Sequence, residues 1–553
     1  MIKVPEEAFR LKRAYARSLV DEMGDFRTHW RLLADYILPN RYQWLCNEKE
    51  RRQRLTRNPN IIDGTGTQAA RTLAAGLLNG ITSPSRPWFR LRLKRWIDEQ
   101  YPEARRWLDE VERRMLRAMA ETNFYNAMAV MYLDLVIFGT AGVLIYEDYE
   151  NVFRCYNSPL GEFALGVTPR QIVGSFVREY NTTVENLVNT YGEENLLETT
   201  RRVYKQGGAS RLAPVKICHI IEQNEKDAFA VPSIFKYREI YFESSSTDGQ
   251  LLSKRGYYER PGIFPRWEVT GNDAYGSCPG MDALADIIQL QHESKRKAQS
   301  LDYMNQPPTV ADIQLSRKPT ALLPGGRTFV QGINNVGVKP IYTVNPPIQE
   351  MSQDLRDIQI RISNFFFNDL FKMISQLETV RSATEIDARK EEKLVLLGPV
   401  LERNQNEGLD PAVNRIYNIM TRAGLLPPPP EGLEEEEIEI QYVSILSAAQ
   451  SAVGVIPIER YLQVIGGVAP VYPGAVQIPN WDELLREYGR DIGVKSKLIN
   501  SEKEVAAQRA AMAKQMAAQQ AVEQVGALAQ AGKTMSETDV GGGANALQMM
   551  LSG

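Results

Sequence analysis

Residues 281–305 read MDALADIIQLQHESKRKAQSLDYMN, and residues 348–374 read IQEMSQDLRDIQIRISNFFFNDLFKMI. Neither stretch contains glycine or proline, the residues that most readily end a helix. In the first, Leu284, Ile287, Ile288, Gln291, Ala298 and Leu301 recur at near-helical spacing. In the second, Met351, Leu355, Ile358, Ile362 and Phe365/Phe366 step by four and three along one face. Between them, Gln306–Pro347 is rich in proline and glycine, with short β-type runs at Thr328–Val330 and Ile341–Val344. The spacing predicts a long helix, a compact β insertion and a returning helix that continues to a break near Glu378–Arg381.

Toward the C-terminus, Ser382-Ala383-Thr384-Glu385 supplies a capping box, so a new helix is expected from there to Gly398-Pro399, and another over Pro411–Arg422. Pro427–Pro430 reads as a stiff linker and Glu434–Glu437 as a solvated acidic face. A strand (IEIQYVS, from Ile438) and short helices around Trp481 follow. Ser501–Ala531, rich in Ala, Gln and Met, is expected to form a long helix that needs neighbours because it is weakly amphipathic. The tail, ending GGGANALQMMLSG, is expected to be mobile.

Toward the N-terminus, Phe9, Ala16, Leu19, Met23, Phe26, Trp30, Leu33 and Ile37 predict a helix over Pro5–Tyr36. A basic stretch, EKERRQRLTR at 48–57, precedes helical patterns over Thr67–Leu78 and Glu103–Phe138. Strand-like segments dominate from Gly142 to about Arg266, broken by a helix at Val184–Thr190. The fold class expected is α+β, predominantly helical.

The chain has 553 residues, enough for roughly three or four structural units. With 65 Lys+Arg against 68 Asp+Glu, its formal net charge is -3. That balance disfavours a basic DNA-coating protein but leaves room for a local nucleic-acid patch. Cys46, Cys155, Cys218 and Cys278 form no C-x-x-C pair, and His29, His219 and His292 stand singly, so neither a metal site nor a His-based triad is supplied. No cofactor, metal or enzymatic activity is expected. The first residues lack the apolar core of an export signal.

Three stretches invite a sharper reading. Ala127–Tyr146 (AMAVMYLDLVIFGTAGVLIY) has the length of a membrane span, but Asp134, Gly139 and Gly142 fit a buried helix, a break and a strand better. Gly64-x-Gly66-x-x-Ala69 mimics a dinucleotide fingerprint without the preceding strand or the later acidic residue; a helix cap at Asp63 or Thr65 explains it better. ALAQAGKT at 527–534 resembles a relaxed phosphate loop, the basis of an ATP-hydrolysing alternative, but an Ala-rich helix replaces the required strand. Gly532 as a helix end, with Lys533 beside it, is the plainer expectation.

Six stretches, in order, resemble the head-to-tail connecting (portal) proteins of short-tailed bacteriophages: WRLLADYILP (Trp30–Pro39), IDGTGTQAARTLAAGLLNGITSPSRPWFRL (Ile62–Leu91), LVIFGTAG (Leu135–Gly142), RSATEIDARKEE (Arg381–Glu392), LGPVLERNQNEGLD (Leu397–Asp410) and GLLPPPP (Gly424–Pro430). The resemblance covers about residues 10–450. It implies a virion protein forming a dodecameric ring at one capsid vertex, assembled in the host cytoplasm, through which viral double-stranded DNA enters and leaves. The partners implied are the terminase packaging motor, the major capsid and scaffolding proteins and a tail adaptor protein, with no membrane.

On the portal plan, residues 1–280 would form the wing, 281–305 and 348–374 the two stem helices, and 306–347 the clip. Residues 375–381 would be the tunnel loop, 382–425 the return helices of the wing, 426–500 the crown, 501–533 a C-terminal barrel helix and 534–553 a flexible tail. Gln376, Glu378 and Arg381 are the channel candidates in the tunnel loop. Lys295, Arg296 and Lys297 are a second set, but successive helical residues lie about 100° apart, so only one or two of them can line a channel.

Overall fold

The computed structural model describes residues 2–46, 60–93, 102–306, 309–311, 338–340, 346–375, 397–430 and 438–443, most of 461–491, and scattered positions between 505 and 533. The chain forms two units, Met1–Arg95 with Glu103–Gln450, and Trp96–Pro102 with Ser451–Gly553.

The first unit mixes helices with antiparallel sheet. It opens on α1 (Glu6–Tyr36), preceded by Pro5 and with Glu6 and Glu7 in its first turn, where the helix dipole favours acids. Phe9, Ala16, Leu19, Met23, Trp30 and Leu33 are buried along one face, the spacing expected from the sequence. Each buried Phe, Leu or Met adds about 1.5–3 kcal/mol. Lys12 reaches the Glu222 carboxylate at 3.0 Å, and Arg13 donates to the Ser246 carbonyl at 2.8 Å, fastening the helix rim to a strand and a loop more than 200 residues away.

Next come α2 (Thr65–Ile81), β1 (Phe89–Leu93), α3 (Pro102–Glu121) and α4 (Phe124–Phe138). The helix expected over 103–138 is thus two helices. At the junction, Asn123 donates to the Cys155 carbonyl at 2.7 Å and accepts from its N–H at 2.9 Å, tying the break to a strand edge. Helix α4 is apolar around most of its circumference and buried, with Asp134 paired to Arg41 at 2.9 and 3.2 Å. Burial pushes the Asp134 carboxyl up to about 6, against the pull of Arg41. Gly139 ends the helix with φ of 76°, and any side chain there would strike the Gly276 carbonyl. Among the described residues no helix is long and apolar enough to cross a membrane.

Strand β2 (Gly142–Asp148) pairs with β3 (Val152–Ser158). Strands β4 (Phe163–Val167), β5 (Val173–Thr183), β6 (Pro214–Gln223), β7 (Tyr237–Glu243) and β8 (Ser253–Tyr257) make an antiparallel sheet in the order β8-β7-β6-β5-β4. Between β5 and β6 lie α5 (Val184–Tyr191), as expected, and α6 (Glu198–Gln206), which the strand-like reading of that region missed. Only Thr200 of α6 is buried, so it carries no apolar stripe. Its start is fixed from β7, where Glu243 accepts from the Leu197 N–H at 2.8 Å and the Thr200 hydroxyl at 2.5 Å.

The sheet encloses a polar hub. The buried Glu239 carboxylate accepts from His219 Nε2 at 2.8 Å, Tyr146 at 2.5 Å and Tyr257 at 2.8 Å. Burial would raise this carboxyl, but the hydrogen bonds, from His219 first, hold it below its ordinary value. Burial also lowers His219, so near neutral pH the pair is a carboxylate and a neutral imidazole.

A two-residue strand, β9 (Gly262–Ile263), joins β2, and one helical turn at Pro279–Asp282 leads into α7 (Leu284–Asn305). Strands β10 (Thr309–Ala311) and β11 (Val338–Pro340) pair antiparallel before α8 (Ile348–Phe365) returns. The helix expected to continue past Phe366 is interrupted, because Phe367 takes a φ of 51° before α9 (Asn368–Ser375). Three consecutive phenylalanines cannot share one helix face; with the interruption, Phe366, Leu370 and Phe371 are buried.

The capping box at Ser382–Glu385 lies outside the described residues. Residues 397–404 are helical and run through a π-turn at Gln405–Leu409 into α10 (Asp410–Arg422); Gly398 and Pro399 are themselves helical, and the helix expected to end at them lies outside the described residues. Buried Leu397, Leu401 and Leu409 and an ion pair hold this segment. Arg266, wholly buried, meets Glu407 through Nε at 3.0 Å and Nη2 at 2.7 Å. The inserted residue of the π-turn aims Glu407 at that guanidinium.

At the expected proline linker, the Pro427 carbonyl accepts from Trp107 Nε1 at 2.9 Å, so the run begins docked on α3. Strand β12 (Ile438–Tyr442) then pairs with β1, Tyr442 opposite Phe89. It belongs to the first unit. In the second unit, α11 (Trp481–Asp491) is joined by Arg509, whose guanidinium takes both oxygens of Asp482 at 2.6 and 2.7 Å. Every residue described between 505 and 533 is helical.

Candidate functional site

The pair α7 and α8 forms an antiparallel two-helix arm about 30 Å long at 1.5 Å per residue. Its base is built into the unit. Leu284, Ile287, Leu290 and Gln291 of α7 are buried, as are Ile358 and Ile362 of α8. Gly66 of α2 lets the helices approach closely, since a Cβ there would lie 2.9 Å from the Ile287 Cδ1. Gly76 does the same for α9, where a Cβ would fall 2.2 Å from the Phe371 ring.

A polar clamp locks the base. The Gln291 amide oxygen accepts from the N–H groups of Ile62 and Asp63 at 2.7 and 2.8 Å, and its nitrogen donates to the Asp63 carbonyl at 2.9 Å. Gln359 of α8 donates to Asp63 Oδ2 at 2.9 Å. The other Asp63 oxygen accepts from the N–H and hydroxyl of Thr65 at 2.8 and 2.5 Å, at the start of α2. One loop residue therefore joins three helices. Arg361 and Asp286 bridge α8 and α7 beside it at 3.2 Å.

The distal half of the arm is bare. From His292 to Asn305, and from Ile348 to Asp357, no residue is buried. Tyr303 and Met304 are exposed near the tip. At the base, Trp267, Asp282, Asp286, Arg361, Phe365 and Leu397 line a cleft of about 480 Å³. Burial, with the nearby Glu268 charge, raises the Asp282 carboxyl.

Of the sequence-derived candidates, Lys295 and Arg296 are exposed on the bare half of α7, and Lys297 is half-buried. Gln376, Glu378 and Arg381 lie outside the described residues; the described chain reaches Ser375 at the end of α9 and resumes at Leu397. One competing motif loses its chemistry. In NIIDGTGTQAA the Asp63 carboxylate occupies the helix start where a phosphate would sit, and Gly66 serves helix packing. In ALAQAGKT, Gln530 and Lys533 are helical, and Gly532 lies outside the described residues. Burial pushes the Cys155 and Cys278 thiols up to about 12, which makes them inert. No group of residues suited to hold a metal occurs among the described residues.

Sequence reasoning placed Gln291 on the helical face but did not find its clamp. A lone glutamine among leucines and isoleucines on a buried face is the signal for such a bond.

The sequence comparisons match this architecture to one family. The model of the bacteriophage head to tail connecting proteins matches residues 11–499. The chain belongs to the bacteriophage head-to-tail connecting, or portal, proteins. It is 36% identical over 536 residues to the portal protein of Salmonella phage epsilon15, covering 96% of each chain. It is 33% identical over 505 residues to a probable portal protein of Bordetella phage BPP-1, covering 90% of each. A head-to-tail connecting protein is a structural component of the phage particle, and the bare arm is one part of this one that its own fold leaves uncovered.

Proposed function

We propose that this chain forms a closed ring at a single capsid vertex, the conduit for genome packaging and ejection and the platform for packaging motor and tail. The observation that carries the reading is the arm, anchored by buried contacts only at its base. In a ring of about twelve copies each arm gains neighbours that a single copy lacks, and a closed cyclic arrangement leaves none of them unpaired. α7 and α8 are then the stem, the β10–β11 insertion the clip facing motor and tail, residues 1–280 with 382–425 the wing, 426–500 the crown, and 501–533 a barrel helix. The partners follow: viral double-stranded DNA, a terminase motor, capsid and scaffolding proteins during assembly in the host cytoplasm, and later a tail adaptor.

DNA must slide through such a ring, so dense phosphate contacts with a steep salt dependence would hinder it. A net charge of -3 with a few placed basic residues suits the task. The segment carrying Gln376, Glu378 and Arg381 is the proposed approach to DNA. Of the triplet on α7, the exposed Lys295 and Arg296 can reach a partner of either kind, DNA or protein, whereas Lys297 is half-buried. The test is packaging by phage carrying Arg381→Ala. Reduced packaging, retention or ejection with intact heads is the expected result, and phage unchanged in all three would remove Arg381 from the channel.

A further inference from the structure

The two helices of the arm carry opposite charge on their exposed surfaces. On α7, Lys295 and Arg296 point into solvent at mid-helix. On α8, Glu350, Asp354 and Asp357 are all exposed, and their spacing of four and three places them on one stripe. Among the described residues none of these five makes an ion pair within the chain, and the one bridge between the helices is Arg361–Asp286 at the base. Charges of the other sign are present as well: Glu293, half-buried, lies one turn before Arg296 on α7, and Arg361, paired with Asp286, feels the charges of Asp354 and Asp357. Arg356 lies about 240° around α8 from Glu350, on another side of the helix, and Asp302 lies about two turns further along α7.

We propose that these two surfaces are the two halves of one contact between neighbouring copies, the Lys295–Arg296 surface of one arm meeting the Glu350–Asp354–Asp357 stripe of the next. The inference rests on the ring reading and says which surfaces close the ring. A ring needs two different, mutually complementary patches on each copy, whereas a two-fold dimer needs one patch that complements itself. Oppositely charged stripes on two helices of one arm supply such a pair, and like-charged surfaces brought together would oppose any other register. The side chains come from a bare surface, so each copy offers both patches without unfolding anything.

The test uses the purified full-length chain, with assembly followed by light scattering and class-averaged electron micrographs. Lys295→Glu with Arg296→Glu, and separately Asp354→Lys with Asp357→Lys, should each raise the concentration for half-assembly by at least about tenfold. The four substitutions together should restore it toward the unaltered protein. Since all four positions are exposed, thermal unfolding of the subunit should not move, and a matched loss of folding in all variants would overturn the assignment. Raising salt should weaken assembly of the unaltered chain and affect the charge-reversed variants less. Rings that form equally well in every variant would refute the charged contact while leaving the ring reading standing. Intact rings that fail to package DNA would reassign Lys295 and Arg296 to the channel. An unaltered chain that forms no ring would remove both readings.

Discussion

Gln291 on α7 and Asp63 in the loop before α2, 228 positions apart, are bound by two hydrogen bonds in opposite senses, the Asp63 N–H donating at 2.8 Å and its carbonyl accepting at 2.9 Å. A glutamine amide thus reads a loop backbone as a neighbouring strand would. Gln291→Leu keeps the apolar bulk but leaves two N–H groups and a carbonyl without partners. Stability should fall by about 2–3 kcal/mol, read as a shift of the denaturation midpoint. An unchanged midpoint would mean that the clamp contributes nothing.

The two close helix approaches should differ in tolerance. Gly76→Ala drives a methyl into the Phe371 ring, whereas Gly66→Ala meets the end of a flexible Ile287 side chain. Overpacking of this kind costs about 1–3 kcal/mol, so Gly76→Ala should be the more harmful, and Phe371→Leu in the same chain should recover part of the loss. Equal effects from the two alanines would contradict the packing described.

Asp134 should make the protein less stable as pH rises. Its carboxyl is pushed up to about 6 from an ordinary 3.8, so between those values the folded state holds a proton that the unfolded chain has released. Full ionisation costs about 3 kcal/mol by linkage. The difference in stability between the wild type and Asp134→Asn should change in that sense from pH 4 to 7, and a flat difference would count against it.

His219 acts in the opposite direction. Burial lowers its folded-state value, so as pH falls through about 6.5 the unfolded chain takes up a proton that the folded imidazole resists. Stability contributed by the neutral, Glu239-bound ring is present above that range and is lost on acidification. His219→Gln, which can still donate to Glu239, should flatten the slope between pH 7 and 5. A slope identical to that of the wild type would place the acid sensitivity elsewhere.

Because the described strands and helices of the first unit, through the Ile438–Tyr442 strand, pair within it, removing Ser501–Gly553 should leave ring assembly largely intact. Monomers alone from that truncation, measured by light scattering, would show that the C-terminal helix is needed for closure.

How much of this was legible in advance depends on the range of the interactions. The α1 stripe from Phe9 to Leu33, the break at Gly139 and the helices over Leu284–Asn305 and Ile348–Phe365 are local periodicities, and the structure follows them, whereas the β-type runs at Thr328–Val330 and Ile341–Val344 lie outside the described residues. Helix α6 was missed because its start is set by Glu243, more than forty residues away. The helical run from 397 into α10 was not legible, because buried leucines and the Arg266–Glu407 pair hold it. At the site, exposure separates Lys295 and Arg296 from Lys297, which a linear triplet cannot do.

The central claim is a closed ring, and the most direct measurement is the mass and symmetry of the purified full-length chain, by light scattering followed by electron-microscope class averages. Rings of about twelve copies around a central hole are the expected result. A stable monomer or dimer at high concentration and low salt would contradict it.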